Sequence, residues 1–120
     1  MLRGFAFLLL LSLGACSYDN AEELLERQPV SCDLTVATYA LTVSPLLDAN
    51  CRDCHNRTVP LANINLEGYE QAKLYADNGK LMGVISHAKG FSPMPKGGAK
   101  LSDCEISRIQ AWVDAGARNN

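Results

Sequence analysis

The sequence predicts a small all-α domain, several short helices joined by long loops, and three stretches predict it. The strongest is "LSDCEISRIQAWVDAGA" (101–117), where Ser102 and Glu105 stand in the S-x-x-E spacing of a capping box. Ile106, Ile109, Trp112 and Val113 then recur along one helical face, and Gly116 stands where a glycine cap closes a helix. Two shorter helices are expected over 69–76 and 80–87, the second with Leu81, Val84 and Ile85 at i, i+3 and i+4, separated by the breaker "DNG" (77–79). Between and after them run "NRTVPLANINL" (56–66), without periodicity and holding Pro60, and "KGFSPMPKGG" (89–98), with three glycines and two prolines; both read as loops.

Upstream, "LTVATYALTV" (34–43) is rich in β-branched residues and reads as extended chain. "SPLLDAN" (44–50) opens a helix, with Ser44 as N-cap and Pro45 at the first helical position. That helix delivers the chain to Cys51 within about two turns. There are no internal repeats or low-complexity tracts.

At 120 residues the chain suffices for one small domain, and its net charge of −2 gives no reason to expect a nucleic-acid partner. The acidity is local. Residues 19–33 hold five acids against one base, whereas from Leu34 onward eight acids face nine bases. The N-terminus has the layout of an export signal: basic Met1-Leu2-Arg3, the apolar run "GFAFLLLLSL", then small residues. The run is shorter than the roughly 20 residues that span a bilayer. "LGAC" (13–16) resembles the lipobox of bacterial lipoproteins, which implies cleavage before Cys16 and lipid on that cysteine; the alternative is a plain secreted protein cut nearby. The expected organisation is a signal peptide over 1–15, an acidic membrane tether over 16–31 and a folded domain over 32–120, lipid-anchored to a bacterial membrane with the domain in the periplasm.

Outside the cytoplasm disulfides persist. With Cys16 assigned to lipid, Cys51 and Cys54 form the motif C-R-D-C-H with His55, and Cys32 and Cys104 are left over, either bridged or two buried thiols. The motif admits three chemistries. Zinc wants four ligands, usually as two pairs, and the chain offers no second C-x-x-C and one other histidine, His87. A redox dithiol wants a βαβ setting that the pattern lacks. Covalent attachment of one c-type haem fits every element. Each thiol adds to one vinyl group, the two-residue gap spans the vinyls, and the adjacent His55 is swung under the iron with Nε2 as ligand. For the other axial position the chain offers Met82, Met94 and His87. Met94 stands in "SPMPKGG", where prolines fix the backbone and glycines allow close approach; its thioether is a soft ligand that favours reduced iron. Met82 reads as core, and ligation by His87 is the lesser alternative.

"SPLLDANCRDCHN" followed by "MPKGGAKLSDCEISRIQAWVDAGARNN" resembles the small c-type cytochrome domains of bacterial lipoproteins and larger enzymes. The resemblance covers 32–120 and rests on Pro45, Cys51, Cys54, His55, Leu66, Tyr69, His87, Met94-Pro95, Gly97-Gly98, Leu101, Ile106, Ile109, Trp112, Gly116 and Ala117. Val113 stands where that family often has isoleucine. It implies the cytochrome c fold around one covalent haem, axial ligands His55 and Met94, a disulfide placed like Cys32–Cys104, and a His87 that hydrogen-bonds near the haem without ligating it.

A His/Met-ligated iron has no open position for substrate, so the expectation is an electron carrier rather than an enzyme, monomeric, serving redox proteins of the cell envelope. Leu61, Ile64, Leu66, Ile85 and Trp112 are the candidate haem pocket. Lys89, Lys96, Lys100, Arg52 and Arg57 would guide an acidic partner, or else are solvated loop charges. The rival readings are a haem enzyme or sensor with a displaceable Met94, and a haem-free binding lipoprotein.

Overall fold

Tyr39, Val43 and Leu47 recur every fourth residue, and all three are buried. That spacing, rather than the β-branched composition around it, governs the first turns in the computed structural model, which describes residues 31–120. The expected signal peptide, the lipidated Cys16 and the tether up to Val30 lie outside the described residues. The chain turns at Thr35–Val36, is extended at Thr38 (φ −112°, ψ 161°), then winds into a wide π turn, Tyr39–Val43, that runs directly into helix α1, Ser44–Asn50. The expectation of extended chain over 34–43 is therefore corrected. Thr38 Oγ accepts from Leu41 N–H, and Tyr39 and Ala40 N–H donate to Asn120, so the first turn's orphan donors are satisfied without a strand partner. Ser44 is likewise not an N-cap. It is the first residue of a helix already begun, and its hydroxyl accepts from Arg52 instead.

The remaining helices are α2, Tyr69–Asp77; α3, Lys80–Ile85; and α4, Asp103–Asp114. A 3-10 turn, Leu61–Asn63, interrupts the loop before α2. Asn78 and left-handed Gly79 (φ 75°) turn the chain between α2 and α3, as "DNG" implies. The capping box of α4 is complete: Glu105 N–H donates to Ser102 Oγ (3.2 Å), and Ser102 N–H donates to the Glu105 carboxylate (2.8 Å). Its C-terminus closes in a Schellman motif. Gly116 N–H bonds Val113 O, Ala117 N–H bonds Trp112 O (both 2.9 Å), and Gly116 takes φ 90°. Among the described residues no strand forms, and the architecture is all-α. None of these helices is long and apolar enough to cross a membrane.

α4 lies against the π turn and α3, and α3 against α2. Trp112, Leu47, Ile85, Ile109 and Val43 are the largest fully buried side chains. Tyr39 meets Tyr69 edge-on, with ring centroids 5.2 Å apart, and Tyr69 Oη donates to Ala117 O (3.0 Å), drawing α2 onto the end of α4. Cys32 and Cys104 are joined in a disulfide, Cα atoms 5.4 Å apart, so the start of the described chain is stapled to the first turn of α4.

Candidate functional site

α1 ends at Asn50, and the motif begins at its C-cap, Cys51. Cys51 and Arg52 N–H both bond Leu47 O, and Cys54 and His55 N–H both bond Cys51 O, so residues 51–55 form hydrogen-bonded turns directly after the helix. Asn56 clamps the exit. Its Nδ2 donates to Arg52 O (2.8 Å), and its Oδ1 accepts from Thr58 and Val59 N–H (2.9 and 2.7 Å). Leu66 N–H donates to His55 O (2.8 Å), which fixes the histidine backbone from the far side of the loop.

Arg52 is not a surface charge. Its guanidinium, only 13% exposed, donates to Leu66 O (2.8 Å), Ser44 Oγ (2.9 Å), Asp48 (2.7 Å) and Tyr39 Oη (3.1 Å). Burial works to lower its pKa, and the hydrogen bonds to Asp48 and Tyr39 outweigh it, holding the group above the ordinary arginine value. The expectation that Arg52 guides a partner is corrected: its donors are spent tying the motif to α1, the π turn and the cavity wall. R52A is expected to lower stability by about 2 kcal/mol, because Leu66 O and Tyr39 Oη lose a half-buried partner. R52K should recover less than half, since one ammonium cannot match the planar fork. An R52A denaturation midpoint equal to wild type would refute this role.

Beside the motif lies a cavity of about 330 Å³, almost wholly apolar. Cys51 and His55, with Ile64 and Leu66, line it from one stretch of chain. Leu81, Val84 and Ile85 present the face of α3 to it, and Phe91 and Met94 arrive from the loop beyond. Tyr75 of α2 and Lys80 complete the lining with Gly90 and Ser92. Of the pocket residues expected from sequence, Ile64, Leu66 and Ile85 line this space. Leu61 does not; it is 53% exposed. Trp112 does not either; it is 1% exposed inside the core beside Tyr39. Sequence reasoning missed Tyr75, Leu81, Val84 and Phe91. The signal for Phe91 was Gly83: a Cβ there would sit 2.5 Å from the Phe91 ring, so the ring's seat on α3 requires glycine.

Three of the four expected site residues, Cys51, His55 and Met94, thus meet at one cavity, drawn from segments about 40 residues apart. Cys54 is exposed and does not line it. His55 Nδ1 is buried with no hydrogen-bond partner, an uncommon and costly condition for a ring nitrogen. Burial pushes the Cys51 thiol up to about 11, the charge of Arg52 offsetting only part of it, so at neutral pH it is a protonated thiol and not the stabilised thiolate of a redox dithiol. Met94 is half-buried; its N–H donates to Val84 O (3.0 Å) and its carbonyl lies 3.0 Å from His87 Nε2. Met82 packs half-buried against the core, away from this cavity.

Around the site Lys89 and Lys96 are exposed and form no ion pair among the described residues, while Lys100 pairs with Asp103 (3.4 Å) and Arg57 with Glu67 (3.7 Å). Such exposed pairs carry little energy. Among the described residues no three His, Cys, Asp or Glu side chains gather to hold a bare metal ion. Comparison with family models, with curated proteins and with solved structures finds no match to this chain.

Proposed function

We propose that the protein is a mono-haem c-type cytochrome that carries electrons at the bacterial cell envelope. The observation that carries this reading is the convergence of Cys51, His55 and Met94, from a C-x-x-C-H motif and a distant Pro-Met-Pro loop, on one apolar cavity. The donor set suits a haem: two thiols in the C-x-x-C spacing, an imidazole at the cavity wall, and a soft thioether. Cys51 and Cys54 would hold the macrocycle covalently, and His55 and Met94 its iron. When bound, the group supplies one-electron chemistry. The protein's part is the rest. Leu66, Leu81, Val84 and Ile85 exclude water from the site, the Met94 thioether favours the reduced state, and the fixed loops keep both ligands in place through the redox cycle. With His55 and Met94 both holding the iron, no position would be left for a substrate, and the protein would be a carrier and not an enzyme. Lys89 and Lys96, exposed near the Met94 loop, suit an acidic redox partner. Lipid on Cys16 would hold a monomeric domain at the membrane, facing the periplasm.

The test is expression with export and haem-maturation machinery. The expected product gains the mass of one haem per chain, keeps it after denaturation, and shows a ferric methionine-to-iron band that M94A loses while retaining covalent haem. A chain recovered without mass gain would establish the haem-free lipoprotein instead. A high-spin resting spectrum in the wild type would establish an open iron site and hence an enzyme or sensor.

A further inference from the structure

α3 ends in the same kind of cap as α4. Ala88 N–H reaches back to Gly83 O (3.0 Å) and His87 N–H to Val84 O (3.4 Å). This pair of bonds closes a helix through one left-handed residue, usually glycine. At the end of α4 that residue is Gly116; at the end of α3 it is His87, with φ 57°. A Cβ in this conformation crowds its own carbonyl, so histidine is strained where glycine would fit freely. Strain retained at one position invites a search for what the side chain does there.

The ring has one partner, the Met94 carbonyl, 3.0 Å from Nε2. A carbonyl only accepts, so Nε2 carries the proton and donates. The N–H of Met94 donates to Val84 O (3.0 Å). The peptide groups on both sides of the Met94 Cα are therefore fastened to the last turn of α3, one by that helix's backbone and one by His87. The same turn presents Val84 and Ile85 to the cavity that Met94 lines. His87 itself is exposed and is no part of the cavity wall.

We propose that His87 is a positioning residue for Met94. Its left-handed backbone carries the imidazole over to the loop, and its hydrogen bond holds the loop so that the thioether stays at the cavity. This rests on the haem reading above, and it makes His87 a determinant of how firmly Met94 keeps its place on the iron without touching the iron.

The experiment is an imidazole titration of the ferric holoprotein, followed by loss of the methionine-to-iron band, in wild type, H87G and H87A, with thermal midpoints measured alongside. Loss of one neutral hydrogen bond should let imidazole displace Met94 about fivefold more readily in both variants. The midpoints should diverge. H87G, free of the left-handed strain, should melt at or above the wild-type temperature, whereas H87A should melt below it. A merely structural His87 would tie easier displacement to lower stability, so a gain in displacement in H87G with no lost stability separates the two roles. H87G displaced within about twofold of wild type, or displaced more readily only in step with a lowered midpoint, overturns the proposal. Wild-type protein that carries no covalent haem, or no methionine band, fails before any variant is compared and overturns the haem reading together with this one.

Discussion

Replacing Cys32 and Cys104 together by alanine is expected to lower the unfolding free energy by about 4 kcal/mol, the loop-entropy value for bridged residues 72 apart in sequence. A domain of this size holds on the order of 5–10 kcal/mol in all, so the change removes a large part of its stability. The location explains why the native state cannot recover much of it. Residues 31–38 form no helix, and beyond the bridge their main ties to α4 reduce to the Arg108 Nε hydrogen bond to Asp33 O (3.1 Å). In C32A/C104A this segment should fray, and the first turn of α4 should lose the anchor beside its capping box. Denaturant unfolding of wild type with and without reductant, set against C32A/C104A, measures the effect. Reduced wild type should match the double variant. A midpoint shift worth less than about 1 kcal/mol would show that the unfolded chain gains little freedom from release of the bridge.

Local signals were legible wherever one side chain answered another a few residues away. α4 could be written down from Ser102, Glu105, the Ile106–Ile109–Trp112–Val113 face and Gly116, and each performs the expected part. The π turn was not legible in the same way. Its β-branched residues argue for extended chain, and only the Tyr39–Val43–Leu47 repeat, continued across Ser44, argues for winding; burial of those three decides the matter. Arg52 shows a second limit. An arginine inside an exposed-looking motif reads as a surface charge, and nothing local announces that Leu66 O, 14 residues away, and Tyr39 Oη, 13 residues away, will claim its donors. Three of the four candidate site residues, Cys51, His55 and Met94, were legible as a cavity-lining set, because C-x-x-C-H and Pro-Met-Pro each stand out by their own spacing, while Cys54 stays exposed off the cavity. Its walls were only partly legible, because which apolar side chains turn toward a cavity depends on helix packing and not on sequence neighbours. His87 illustrates the remainder. Its place is set by a left-handed helix cap usually given to glycine, so a pattern search for helix ends passes over it.

Trp112→Ala is expected to cost about 3–5 kcal/mol, a large part of the domain's stability. Trp112 was a candidate for the haem pocket that lies in the core without lining the cavity, and its surroundings set the size of the effect. It is 1% exposed, its ring stands 5.9 Å from that of Tyr39, and it projects from the one long helix toward the π turn. Alanine would leave a void beneath Tyr39, which in turn supports Tyr69 and takes a hydrogen bond from Arg52. The packing fault would therefore run from α4 to the motif through contiguous side chains. Trp112→Phe separates volume from polarity. It keeps most of the filling and loses the Nε1–H bond to Arg118 O (2.8 Å), whose residue is exposed and can turn to water. W112F should therefore cost well under half of W112A, about 1–2 kcal/mol. Urea denaturation followed by far-UV circular dichroism compares all three proteins. W112F as damaging as W112A would mean that the hydrogen bond, and not the ring, is what secures the end of α4. W112A close to wild type would mean that the core closes over the void, which the rigid frame of Leu47, Ile109 and the disulfide-stapled helix start argues against.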